Sequence, residues 1–358
     1  MHNTSDRSSS IPSRKQDHVR IVVEENVGFK TKTAGWELFE PEYNALPELN
    51  ADQIDLSTSF LGKDLRMPLL MTGMTGGYGD AVRINAALAR ACQSAGIAMG
   101  LGSQRQALRS SAYHESFTIA RKEAPGVPLL ANIGAAEIAG ADGVDNAQRV
   151  VDLVQADALA IHLNALQELL QPEGSPTFHG VLAGIEKCVQ KLSVPVVVKE
   201  VGAGISANVA KRLLQAGVRI LDVAGAGGTS WAGVELQRSS ATHMQELWDA
   251  GIPTAQCVRE VTALRDSHTS FFCIASGGIL SGFDAAKALA LGADLAGAAR
   301  PFIKALEQGG EENLRVCLDQ WKEQMRAVMF IAGVKRVDQL RTVALRDRNG
   351  AVIRHRQE

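Results

Sequence analysis

DALAIHLNALQE, residues 157–168, starts as a run of small and branched apolar side chains (Ala158, Leu159, Ala160, Ile161). It then turns polar within seven residues, at His162, Asn164, Gln167 and Glu168. In an extended chain alternate side chains share a face, so His162 and Asn164 point the same way. Gln167 and Glu168 follow where the chain leaves the strand. A buried strand that becomes polar at its carboxyl end is what an active site on the rim of a parallel barrel requires. The plainer alternative has Asn164 capping the next helix and the other side chains in solvent. The rest of the chain bears on the choice.

Moving outward, short apolar runs recur at 68–74, 96–100, 128–133, 194–199, 218–223, 271–276 and 294–298. Helical segments at 80–95, 145–155, 181–192, 206–216 and 282–291 separate them. Proline or glycine introduces several runs (VPLL, VPVVV, AGVRIL, LGADL), the punctuation expected where a helix stops. The runs lack polar alternation, as parallel strands covered on both faces should. Counting the opening stretch, eight units in about 240 residues fit an α/β fold, a single (β/α)8 TIM barrel. A doubly wound sheet is the alternative, but it would not need eight. The interval 222–271 is too long for one helix and predicts an excursion after strand 6, over 225–253, as well as a helix. The expected organisation is a flexible N-terminal arm at 1–17, a lead-in segment at 18–67, the barrel at 68–332 and a polar closing segment at 333–358. Residues 311–332 read as an extra helix.

The chain has 358 residues, is 46% hydrophobic but only 5% aromatic, and holds 34 glycines, a balance suited to packed β/α layers. A formal net charge of −2 gives no basis for a nucleic-acid or anionic-membrane partner. Five scattered cysteines, none at CxxC spacing, fit reduced thiols in a cytoplasm and no zinc site. No apolar run approaches the roughly 20 residues that span a bilayer. The first fifteen residues lack a signal-peptide core, so a soluble cytoplasmic protein is expected.

Chemistry gathers at the predicted strand ends. MTGMTGG (71–77) brings glycines that let a ligand approach the backbone, with hydroxyls on Thr72 and Thr75. GLGSQR gives Ser103, Gln104 and Arg105, and ANIGA gives the amide of Asn132, able to pair with a heterocycle edge. VVVKE ends an apolar strand on Lys199, which must find an anion or a carbonyl unless it reaches solvent. AGAGGT, ASGGILSG and GAARPF end the sixth, seventh and eighth strands as possible phosphate nests. Together with Lys199 and Asn132 they point to a phosphorylated planar cofactor, most plausibly FMN. A second set of cations, Arg14, Lys15 and Arg105, with His162, could hold another phosphorylated molecule. Glu168 among them makes sense as a Mg²⁺ ligand bridging to a diphosphate. Glu235 could support the metal, or be an ordinary surface carboxylate.

At this point the chain resembles the type 2, FMN-dependent isopentenyl diphosphate isomerases, from Arg14 to about Pro301. The resemblance rests on RKxxH (Arg14, Lys15, His18), MTGMTGG, GLGSQR, ANIGA, HLNALQE, VVVKEVGAGIS, AGAGGTSWAGVE and SGGI. HLNALQE with GGTSW is the specific part; SGGI and the glycines are shared by many FMN barrels. The resemblance implies redox-neutral interconversion of isopentenyl and dimethylallyl diphosphate, with reduced FMN, Mg²⁺ and NADPH as reductant. It also implies a homo-oligomer, a tetramer or octamer.

Carried over residue by residue, it assigns Thr72, Gly73, Met74, Thr75, Ser103, Asn132, Lys199 and Thr229 to FMN. Gly277, Gly278, Ile279, Ala299 and Arg300 would lie near the FMN phosphate. Arg14, Lys15, Ser103, Gln104, Arg105, His162, Asn164 and Gln167 would hold the substrate, and Glu168 the metal. His162, Gln167, Trp231 and Glu235 would serve catalysis beside the flavin.

Three rivals share some of these features. Hydroxy-acid oxidases of the same barrel class use a His-x-x-Arg pair, and no such pair occurs in this sequence. Nucleotide dehydrogenases of the class need a cysteine in the loop after strand 6, and AGAGGTSWAGVE has none. A non-catalytic flavin-binding protein is excluded less firmly.

Overall fold

A computed structural model describes residues 11–239, 242–265 and 270–354. Its centre is a closed barrel of eight strands. Numbered along the barrel, they are β1 (Leu69–Met71), β2 (Ala98–Gly100), β3 (Leu129–Gly134), β4 (Ala158–His162), β5 (Val196–Lys199), β6 (Ile220–Asp222), β7 (Phe272–Ser276) and β8 (Leu295–Ala298). Every neighbouring pair is parallel. Seven of the expected apolar runs contain one of these strands and the eighth, 128–133, is overrun by one residue at Gly134, so the fold is the (β/α)8 barrel that the sequence predicts.

The layer outside the strands contains α1 (Ala81–Ala95), α2 (Glu115–Glu123), α3 (Gly143–Val154), α4 (Val181–Lys191), α5 (Ala207–Gln215), α6 (Thr254–Thr262), α7 (Gly282–Leu291) and α8 (Arg300–Ala332). The predicted extra helix is the distal part of α8. A break at Gly309 and Gly310, where the backbone leaves helical angles, separates it from the first part. Gly310 sits at φ 69°, a conformation glycine reaches without a Cβ penalty. The excursion after β6 holds a helix (Trp231–Ser239) and a 3₁₀ segment (Thr242–Asp249).

The lower barrel interior is packed with Leu70, Ala98, Leu130, Ala158, Ala160, Val197, Ile220, Ile274 and Leu295. Phe60 and Leu65, from a hairpin of Thr58–Phe60 and Lys63–Leu65, close it from below. Lys63 fixes that plug with a 2.7 Å ion pair to Asp157, which directly precedes β4. The lead-in and closing segments also meet, because Phe39–Pro41 and Val352–Arg354 flank Leu345–Asp347 in an antiparallel sheet. One end of the barrel is thus sealed and the other left for chemistry.

The flexible arm is corrected where the structure describes it; residues 1–10 of that expectation lie outside the described residues. A helix runs over Ile11–Glu24, across the expected boundary at 17, and folds over the open end. The reason is an apolar face that the polar, Ser-rich start conceals. Ile21, Val22 and Val27 are buried with Val234 of the excursion helix, and Met74 and Trp231 pack against them. Burial of aliphatic side chains of this size is worth about 1.5–3 kcal/mol each, which offsets much of the cost of ordering the segment.

Candidate active site

The barrel register aligns the functional strand ends. Gly134 pairs with His162, His162 with Lys199, and Lys199 with Asp222, forming one row at the carboxyl mouth. Above the row lies an open cavity of about 350 Å³, bounded by the strand-end loops and roofed by Arg14, Lys15 and His18 of the N-terminal helix.

One side of the cavity is backbone. Gly228, Gly277, Gly278, Ile279 and Ala299 line it, as does the start of α8 at Arg300 and Pro301. Gly277 and Gly278 have φ of 96° and 67°. A Cβ on Gly277 would collide with the Gly225 carbonyl oxygen, and one on Gly228 would lie 2.6 Å from the Gly278 nitrogen. Only glycine allows loops this close together, and the N-terminus of α8 adds a partial positive charge. Trp36 supports the turn from behind, its Nε1–H donating to the Gly278 carbonyl at 3.0 Å. Chemically this is an anion cradle, and it fits the phosphate end of FMN.

The floor is a chain of hydrogen bonds. Asn132 Nδ2 donates to the Leu101 carbonyl at 2.7 Å, so its Oδ1 is the acceptor facing His162 Nδ1, also at 2.7 Å. His162 therefore carries its proton on Nδ1 and leaves Nε2 as an acceptor. Burial, reinforced by Lys199, Lys15 and Arg105, brings its pKa down to about 3. A neutral His162 orients its neighbours and offers Nε2 as an acceptor. Lys199 donates to the Glu200 carbonyl at 2.6 Å, and burial lowers its pKa against the pull of Asp222 and Glu200.

The other side is charged. Lys15 Nζ donates to the Ser103 carbonyl, and burial with Arg14 nearby brings its pKa down to about 7. Burial, then Arg105, lowers the Arg14 pKa as well. Arg105 Nε lies 2.6 Å from Glu137, and its Nη1 lies 3.5 Å from Glu168. Crowded, desolvated cations of this kind are relieved by a multivalent anion. Glu168 also accepts from Asn164 Nδ2 at 3.1 Å and from the Ser175 backbone at 2.6 Å. Among the described residues no group of three or more His, Cys, Asp or Glu could hold a metal. Glu168, a carboxylate that lines the cavity beside these cations, would fit a Mg²⁺ completed by a substrate's phosphate oxygens and water.

Most expected site residues line this cavity: Arg14, Lys15, Thr72, Gly73, Met74, Ser103, Arg105, Asn132, His162, Asn164, Gln167, Glu168, Lys199, Thr229 and Trp231 all do. Four expectations change. Gln104 is fully buried behind the wall, donating to the Val150 carbonyl and accepting from Asn132 N–H, so it braces β3 against α3 and holds no substrate. Thr75 is 2% exposed and does not line the cavity; its carbonyl accepts from Gly102 N–H at 3.2 Å. The Arg300 side chain donates to the carbonyls of Val22 and Glu25, so it ties down the end of the N-terminal helix while the residue still borders the cavity.

Glu235 is the fourth. It is fully buried, with His18 Nε2 at 2.8 Å, Arg238 Nη1 at 2.6 Å and Gln167 Nε2 at 3.2 Å. Burial pushes its carboxyl up, but His18 and Arg238 more than reverse this and hold it low. Its oxygens face these three partners, and it is not among the residues that line the cavity.

Sequence reasoning missed Glu137 and Gln171, which also line the cavity. Gln171 sits four residues beyond Gln167, on the same helical face, a spacing that could have found it.

Comparison with known proteins agrees with this geometry. The chain matches the FMN-dependent dehydrogenase family over residues 138–347. It is 45% identical to an isopentenyl-diphosphate delta-isomerase of Chlorobium phaeovibrioides, covering 93% of this chain and 96% of that one. With another of that name from Pelodictyon phaeoclathratiforme it shares 46% identity over 93% of this chain and 96% of the relative. Among solved structures, a mandelate oxidase variant with a monooxide FMN adduct superposes with a TM-score of 0.64 at 18% identity, over 92% of this chain and 95% of that one, a likeness of fold alone. The chain belongs to the isopentenyl-diphosphate delta-isomerase family, built on the barrel of the FMN-dependent dehydrogenases.

Proposed function

We propose that this chain interconverts isopentenyl and dimethylallyl diphosphate by adding a proton at one carbon and removing one at another, with FMN, Mg²⁺ and a reductant such as NADPH. The observation that carries the reading is a single cavity with a glycine cradle and helix N-terminus on one side and three cations beside a carboxylate on the other. Those are two anion sites within one cavity, suited to a flavin phosphate and a diphosphate. Reduced FMN, when bound, would supply the acid and base that an unactivated alkene requires.

The protein's own residues do the rest. Arg14, Lys15 and Arg105 bind the diphosphate with charge-assisted hydrogen bonds. Glu168 would hold Mg²⁺ beside it, and Asn164, which donates to Glu168, would help to hold the substrate. Neutral His162 fixes the floor through Asn132, and Gln167, held by Glu235, projects into the cavity beside Trp231. The N-terminal helix covers the mouth and excludes water, protecting a tertiary cation from capture. Fixing the carbon chain this way supplies proximity, which can be worth about 7–11 kcal/mol of the barrier of an otherwise bimolecular step. Gln167 and Trp231 touch the reacting region, while Glu235 acts through Gln167 and His18.

Supporting a cytoplasmic setting, all five cysteines are free thiols. No helix of the described residues is long and apolar enough to cross a membrane. The homo-oligomer that the resemblance implies is part of the same proposal.

An omission series tests the reading. The protein should form dimethylallyl diphosphate only when FMN, reductant and Mg²⁺ are all present. Turnover of a 2-hydroxy acid instead would return it to the oxidases of this fold.

A further inference from the structure

Arg105 is shared unequally between two carboxylates. Its Nε is 2.6 Å from Glu137 Oε1, while its Nη1 is 3.5 Å from Glu168 Oε1. All three side chains are largely buried, at 14% exposed for Arg105 and Glu137 and 9% for Glu168. Glu137 lies on the short helix (Ala135–Ile138) that follows β3. Its carboxylate packs so tightly on the strand end that a Cβ on Gly134 would collide with its Oε2. Burial raises its pKa, and Arg105 opposes this only in part.

Without Glu137 the guanidinium would still be desolvated, with Arg14 and Lys15 nearby, and the closest remaining carboxylate would be Glu168. A tight Arg105–Glu168 pair would neutralise the group that a divalent cation needs, because a carboxylate committed to a guanidinium is a poor ligand. We propose that Glu137 is a positioning residue that holds Arg105 off Glu168, leaving Glu168 free for a divalent cation and Arg105 directed at a diphosphate. This rests on the metal and diphosphate roles proposed above.

The test is calorimetric titration of the FMN-loaded protein with inorganic pyrophosphate over a series of Mg²⁺ concentrations. In Glu137→Gln the Mg²⁺ concentration for half-maximal binding should rise about 10-fold or more, the size typical of removing a metal site's outer support. The flavin spectrum should not change. Glu137→Asp, which keeps the charge on a shorter stem, should fall between. A wild-type Mg²⁺ midpoint in folded Glu137→Gln would overturn the proposal. Should that variant not fold, a crystal structure of the wild type with Mg²⁺ and pyrophosphate decides. Arg105 should stay on Glu137 while Glu168 moves to the metal; Arg105 leaving Glu137, or Glu137 binding Mg²⁺, would overturn it. Pyrophosphate binding to the wild type without any Mg²⁺ dependence would instead count against the metal role of Glu168.

Discussion

His18 Nε2 lies 2.8 Å from Glu235 Oε1, so a buried carboxylate of the excursion helix anchors the N-terminal helix that carries Arg14 and Lys15. The same carboxylate holds Gln167, linking the roof of the cavity to its wall. Glu235→Ala should destabilise the fold by about 3–5 kcal/mol, because His18 and Gln167 lose a buried partner and Arg238 is left, among the described residues, with Glu173 alone. His18→Ala should cost less in urea denaturation yet speed tryptic cleavage after Arg14 and Lys15. Unchanged resistance to trypsin would mean that His18 does not hold the helix down.

Arg14→Ala combined with Lys15→Ala should raise the KM for isopentenyl diphosphate by about 100-fold or more, since each charge-assisted hydrogen bond contributes about 1.5–3 kcal/mol. The bound-flavin spectrum should stay as in the wild type, because both residues lie across the cavity from the glycine cradle. Steady-state kinetics and absorbance measure the two effects separately.

Glu168→Gln should raise the Mg²⁺ needed for half-maximal rate and lower turnover, with FMN retained. The amide keeps the shape but loses the charge that a hard cation requires. Loss of FMN with an unchanged Mg²⁺ titration would move Glu168 from the metal to the flavin.

His162 sets a pH dependence of stability. Unfolded, it protonates near its ordinary 6.5; folded, it resists protonation until about pH 3. Its neutral burial therefore contributes stability that is fully present above pH 6.5 and is lost as the pH falls toward 3. The loss should reach up to about 3 kcal/mol by pH 4. Urea denaturation across that range should show this slope in the wild type and a shallower one in His162→Gln. Parallel slopes would show that His162 is protonated in the folded protein.

The barrel was legible because its strands are apolar without alternation and proline or glycine introduces several of them. Lys199, Asn132 and His162 were legible for the same reason: polar side chains closing apolar runs must face the mouth. The N-terminal helix was not, because Ile21, Val22 and Val27 are an apolar face only once Val234, far along the chain, lies against it. Gln104 looked like a ligand beside Ser103 and Arg105, yet its neighbours in space are Asn132 and Val150. Local sequence gives a side chain's chemistry but not the direction in which a tight turn aims it. Glu137 carries no distinguishing signal in the sequence, since a lone glutamate at a helix start ordinarily favours the helix dipole.

The most direct measurement of the central claim is anaerobic proton NMR in D₂O of the protein with FMN, Mg²⁺, NADPH and isopentenyl diphosphate. The account predicts dimethylallyl diphosphate carrying solvent deuterium, with many turnovers for each NADPH consumed. Product formed with one NADPH oxidised per turnover, or bound flavin with no isomerised product, would contradict it.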